Sequence, residues 1–104
     1  MSNFVAVSVT TEEDLIQKEQ VGTLRFASED VLATAADRHI RAHNIARACT
    51  LGNAHHGKVV MHFRTADGHL YRLDTTVWAS DDRYITLKAG AVLPVRAVVE
   101  IEFI

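Results

Sequence analysis

The run Lys58-Val59-Val60-Met61-His62-Phe63-Arg64-Thr65 alternates strictly, with Val59, Met61 and Phe63 on one side and Val60, His62 and Arg64 on the other. A period of two belongs to a half-buried strand, not to a helix. Ala66-Asp67-Gly68 follows. An Asp-Gly pair between two alternating runs is a strong hairpin signal, because glycine takes positive φ at no steric cost. The chain therefore turns back on itself here and buries one face. His69–Ala79, rich in Thr, Val, Tyr and Trp, reads as the returning strand and is long enough to bend. Ser80-Asp81-Asp82 is a polar turn. Arg83–Lys88 is a third strand with Ile85 and Leu87 on one face. Ala89-Gly90 turns into Ala91-Val92-Leu93, and Pro94, which lacks a donor, ends that strand or confines it to an edge. Val98–Ile104 is the last, with Val99, Ile101 and Phe103 opposite Glu100 and Glu102.

Five short strands joined by tight turns predict a small, strongly bent, five-stranded barrel of SH3-like or Sm-like type over residues 58–104. Closure removes the exposed edges an open five-stranded sheet would keep. The expected class is mainly β with an N-terminal helix (α+β), in a single domain over residues 1–104.

Residues 1–57 read mostly as helical. Thr10-x-x-Glu13 fits a capping box for a short helix through Gln20, stopped by Gly22. Val5, Val7 and Val9 alternate as a short extra strand. Ser28 is the expected N-cap of a longer helix, Glu29–Leu51, with a break near Asn44 as the alternative; its apolar stripe is Leu32, Ala35, Ala36, His39, Ile40, Ala46 and Cys49. Gly52-Asn53 is its expected C-cap.

Composition excludes several classes. Of 104 residues, 48% are hydrophobic and 23% charged, which separates the chain from disordered sequences. No apolar run reaches the roughly 18 residues of a membrane helix, and no secretory signal is visible. With one cysteine there is no internal disulfide, so a cytoplasmic location is the expectation.

Charge is uneven along the chain. Residues 1–37 carry net −5, residues 38–72 net +5, and residues 73–104 net −2. The middle segment also holds all six histidines. A locally basic surface binds phosphates whatever the total charge. The plainer reading is a solvated face whose cations pair with the acidic N-terminal segment.

Catalytic signatures are absent from the sequence. His39 and His43, four apart, could hold a metal with His55 or His56, but no H-E-x-x-H pattern is present, and ordinary surface histidines are the simpler reading. Cys49 lies on the expected apolar stripe and reads as a small hydrophobe, not a nucleophile. There is no glycine-rich phosphate loop and no nucleophile elbow. The chain is expected to be no enzyme and to need no cofactor or metal. Phe63 and Trp78 are expected on buried or partly buried faces.

Leu51-Gly52-Asn53-Ala54-His55-His56-Gly57-Lys58-Val59, Thr65-Ala66-Asp67-Gly68, Thr75-Thr76-Val77-Trp78-Ala79, Tyr84–Gly90 and Leu93-Pro94-Val95-Arg96 together resemble a family of small uncharacterised bacterial proteins with an Sm-like barrel. The resemblance covers Leu51–Phe103. It implies a bent five-strand barrel behind a helix, assembly into dimers or rings, and, weakly, RNA binding. Where RNA-binding Sm proteins carry an Asp-x-x-x-Asn motif, this chain reads Ser80-Asp81-Asp82-Arg83. Where they carry Arg-Gly, it reads Val95-Arg96-Ala97-Val98. A looser likeness is to the small barrel that inhibits the terminator Rho by binding protein. The expected function is a non-enzymatic, homo-oligomeric module that binds RNA or a protein partner, with no membrane association. Its expected contacts to phosphate or an acidic partner are Arg38, Arg41, Lys58, Arg64 and Arg72. The alternative is a structural or regulatory protein-interaction module that binds no nucleic acid.

Overall fold

A computed structural model describes residues 13–104. It contains one long helix, α1 (Ala35–His55), and seven strands: β1 (Glu13–Leu15), β2 (Val59–Arg64), β3 (Leu70–Thr75), β4 (Val77–Ser80), β5 (Tyr84–Leu87), β6 (Val92–Pro94) and β7 (Val98–Phe103). The strands form two sheets, ordered β1-β3-β2-β7 and β4-β5-β6. No strand of one pairs with a strand of the other among the described residues.

This corrects the expected five-stranded barrel. The run 69–79 does bend, but it divides at Thr76 into β3 and β4, which belong to different sheets. The helix packs against β7, an edge of the larger sheet, and against β4, an edge of the smaller one. Near its start Arg41 donates to the Val98 carbonyl at 3.0 Å. Near its end Gly52 lies against the Val77 carbonyl. The edges of the two sheets are thus bridged by a helix.

The β2–β3 hairpin follows the sequence. Thr65 N–H donates to His69 O, Gly68 N–H donates to Thr65 O, and Gly68 has φ +84°. This is a three-residue loop closed by a left-handed glycine. Val59, Met61 and Phe63 are fully buried, as the alternation requires. They meet Leu73, Val77, Ile85, Leu87, Leu93, Val98 and Ile101 from the other strands, and Ile45 and Ala48 from the helix. Phe63 stacks on Tyr71 and tilts against Phe26, with ring centres 5.7 and 6.0 Å apart. Two register shifts accompany departures from the expected faces. The β2–β7 register shifts between His62 and Phe63, so Val98, not Val99, enters the core. The β4–β5 register shifts between Val77 and Ala79, and Trp78 is left 45% exposed. A bulge adds a residue and redirects the side chains beyond it.

The helix differs from its expected bounds. Asp30 spends its carboxylate on Leu32 N–H at 2.8 Å, a local bond that competes with helix, and the cap is Thr34, which accepts from Asp37 N–H. Gly52 is interior, and His56 caps the end with φ 53°. The buried line is Arg41, Ile45, Ala48 and Gly52, while Ile40 is exposed. Of the short helix expected through Gln20, the described part is strand β1 followed by a 3-10 turn, Lys18–Thr23. The expected strand at Val5, Val7 and Val9 lies outside the described residues. No described helix is long and apolar enough to cross a membrane.

Candidate anion-binding cleft

The five expected basic contacts do not assemble into one surface. Arg41 is buried and forks onto Asp30, Nη1 to Oδ1 at 2.8 Å and Nη2 to Oδ2 at 2.6 Å. Arg38 donates from Nε to Leu32 O at 3.0 Å and lies 3.7 Å from the Asp30 carboxylate. Arg64 donates to Gly68 O at the hairpin tip. Arg72, exposed on β3, pairs with Asp74 of its own strand at 3.2 Å. Lys58 is exposed ahead of β2. His62 lies between Glu13 and Glu102, and His69 meets Asp14. Arg38 and Arg41 thus face Asp30 of the acidic N-terminal segment, as the plainer sequence reading has it, and two histidines of the middle segment meet Glu13 and Asp14. His39 and His43 lie about 24 and about 18 Å along the helix axis from His55, at the 1.5 Å rise per residue. No described group of three or more His, Cys, Asp or Glu side chains could hold a metal ion. Cys49 is half-buried, with Sγ 3.8 Å from Trp78 O.

One cleft gathers cations with an aromatic ring. It holds about 300 Å³ and is lined by Asp30, Arg41, Asp82, Arg83, Tyr84, Val95 and Arg96. Three connecting segments build it beside Arg41 of the helix. Asp81 fixes the β4–β5 turn: its carboxylate accepts from Arg83 N–H and Tyr84 N–H, both at 2.8 Å. Those bonds to its charged form hold the Asp81 carboxyl below the usual carboxylate range. The turn before β7 is tied to this one by Val95 N–H to Arg83 O at 2.9 Å. The chain ahead of the helix is tied in turn by Val31 N–H to Arg96 O at 2.9 Å and by Arg96 Nε to Ala27 O at 2.5 Å. Two main-chain bonds and the Asp81 carboxylate therefore set the positions of Arg83, Tyr84 and Arg96 relative to one another.

The charges divide unequally. The Arg41–Asp30 pair neutralises itself, and the hydrogen bond from Arg41, working against burial, holds the Asp30 carboxyl below its ordinary value. Arg83 and Arg96 form no ion pair among the described residues. Tyr84 is 46% exposed and offers a ring beside them. Guanidinium groups with unspent donors are suited to a carboxylate or phosphate in bidentate geometry.

Of the five expected contacts, only Arg41 lines this cleft. Arg83 and Arg96 were missed because they lie in a segment of net negative charge. The two turns quoted for the resemblance, Ser80–Arg83 and Val95–Val98, were the available signal, since both contribute to the cleft. No family model, curated protein or solved structure matches this chain.

Proposed function

We propose that the chain is a non-enzymatic interaction module that takes an acidic side chain of a protein partner into the cleft between Arg83 and Arg96. The observation that carries this reading is the contrast in pairing: the described structure gives Arg41 and Arg72 carboxylate partners, while Arg83 and Arg96 have none. Two such cations suit a short acidic motif. A long phosphate backbone calls for a stripe of cations, whereas of the five basic residues expected to make one Arg41 is buried on Asp30 and Arg72 is paired with Asp74.

Single-stranded RNA is the second reading, favoured by the half-exposed Tyr84 ring beside the two arginines. Bases stack on such rings while cations hold phosphates. Fluorescence anisotropy with a labelled Asp/Glu-rich peptide and a labelled single-stranded RNA separates the two. The protein reading expects saturable peptide binding that is lost in the R83E/R96E double variant and retained in K58E. RNA binding that needs Arg83 and Arg96, with no peptide binding, favours the second reading. Equal binding of both probes by wild type and the double variant overturns both. Self-association is a further expectation, and native mass spectrometry that finds only monomer overturns it.

A further inference from the structure

His62 stands on the outer face of the larger sheet, in the middle of β2, with a carboxylate at each ring nitrogen. Glu13 of β1 reaches Nδ1 across the intervening strand β3, and Glu102 of β7 meets Nε2 at 2.5 Å. An imidazole donates from both nitrogens only when it carries its second proton. The other charged groups on this face are Arg72, opposite His62 on β3, Asp74 beyond it, Arg64 on β2, and Glu100, opposite His62 on β7. Arg72 is turned toward Asp74. His69 makes a second, more exposed contact to β1 through Asp14 at 2.7 Å.

Ile16, just after β1, is buried in the core, but among the described residues β1 itself is held lightly. It is a three-residue parallel strand on the edge of β3, extended by Ile16 N–H to Arg72 O at 2.9 Å. So short a ladder is marginal without side-chain support. Glu13 is the side chain that ties β1 across β3 to the middle of the sheet.

We propose that His62, as the imidazolium bridging Glu13 and Glu102, locks β1 onto the edge of β3, and that loss of its proton releases the strand. Burial opposes the charged imidazole, but the hydrogen bonds and charges of the two carboxylates outweigh it and hold the group above its ordinary value. The lock is therefore closed on the acid side and opens as pH rises through that raised value. A neutral ring can donate to one carboxylate only, leaving the other beside it unpaired. Release uncovers the N–H and C=O groups of β3 between Leu70 and Arg72, a template for an extended chain.

Hydrogen exchange of the whole chain, read by mass spectrometry over residues 13–17 and corrected for the intrinsic pH dependence of exchange, tests this. Protection near pH 6, lost near pH 9 while β2 stays protected, is the expected result; those values bracket the ordinary histidine range. In His62→Gln, protection of residues 13–17 is expected to be lost at both values. In Glu102→Gln it is expected to weaken on the acid side. In His69→Gln the wild-type pH dependence is expected to persist. Equal protection of wild type at both values overturns the proposal. So does a wild-type pH dependence retained in His62→Gln or abolished in His69→Gln.

Discussion

Gly52 and Val77 meet backbone to backbone: a Cβ on Gly52 would lie 2.0 Å from the Val77 carbonyl oxygen. That approach is what lets the helix sit on β4. Gly52→Ala gains about 1 kcal/mol of helix propensity, but it forces the helix off the strand. Overpacking of this kind costs typically about 1–3 kcal/mol, and a contact this short belongs at the upper end. A net destabilisation of about 2 kcal/mol is expected, read as a lower urea midpoint with an unchanged slope. A variant as stable as wild type would show that the helix can lift without loss.

The same contact marks how far the fold was legible. In sequence, Gly52 after a run of helix formers reads as a terminator, because a left-handed cap is the commonest use of glycine there. Its real role depends on Val77, a residue distant in sequence. The β2–β3 hairpin was legible because alternation and the Asp-Gly turn are local. The division at Thr76 and the bulges at Phe63 and Trp78 are properties of pairing between strands, which no single run encodes. The helix stripe was misread for a related reason: its buried line includes Arg41, which a search for apolar periodicity discards.

Arg41 anchors the helix to the chain ahead of it. It is 6% exposed, forks onto Asp30 and donates to Val98 O. Arg41→Ala leaves the Asp30 carboxylate and a β7 carbonyl without that partner. Breaking a buried pair costs about 3–5 kcal/mol, and the partial exposure of Asp30 puts this case near about 3 kcal/mol. Arg41→Lys is expected to recover little, since an ammonium cannot make the planar fork. Thermal unfolding of the two variants checks this, and a Lys variant equal to wild type would refute the bidentate account.

Lys58 and Arg72 serve as contrasts. Both are exposed, and the pair of Arg72 is with Asp74 on the same solvent face. Exposed pairs contribute about 0–1 kcal/mol, so Arg72→Ala is expected to change stability by no more than about 0.5 kcal/mol. Neither residue lines the cleft, so K58E and R72A are expected to leave binding of an acidic peptide within about twofold of wild type, where a 1.4 kcal/mol loss would be tenfold. Anisotropy titrations check this; a large loss in either variant would move the binding surface to the outer sheet face.

The candidate site was legible only in outline. A basic middle segment and an acidic first third were readable from charge counts, and the contacts of Arg38 and Arg41 with Asp30 are of that kind. Counts along the chain could not find Arg83 and Arg96, because their neighbours in sequence are acidic while their neighbours in space include each other. Main-chain bonds between the turns 80–83 and 95–97 create that proximity, and backbone bonds leave no mark on composition.

Acid stability follows from Asp30. Its folded value is depressed by the hydrogen bond from Arg41, against the opposing effect of burial, with further help from Leu32 N–H and the charges of Arg41 and Arg38. A depressed carboxylate contributes stability that is whole above its unfolded value, about 3.9, and is lost as pH falls through its lower folded value. Wild type is therefore expected to lose thermal stability steeply below about pH 4. Asp30→Asn removes the titration and leaves Arg41 buried without its counter-charge, so it starts less stable at neutral pH and loses less on acidification. The melting temperatures of the two proteins should converge as pH falls through the lowered folded value of Asp30, where the wild-type carboxylate also becomes neutral. Parallel pH profiles with a constant gap would mean that Asp30 does not stay ionised through its bond to Arg41.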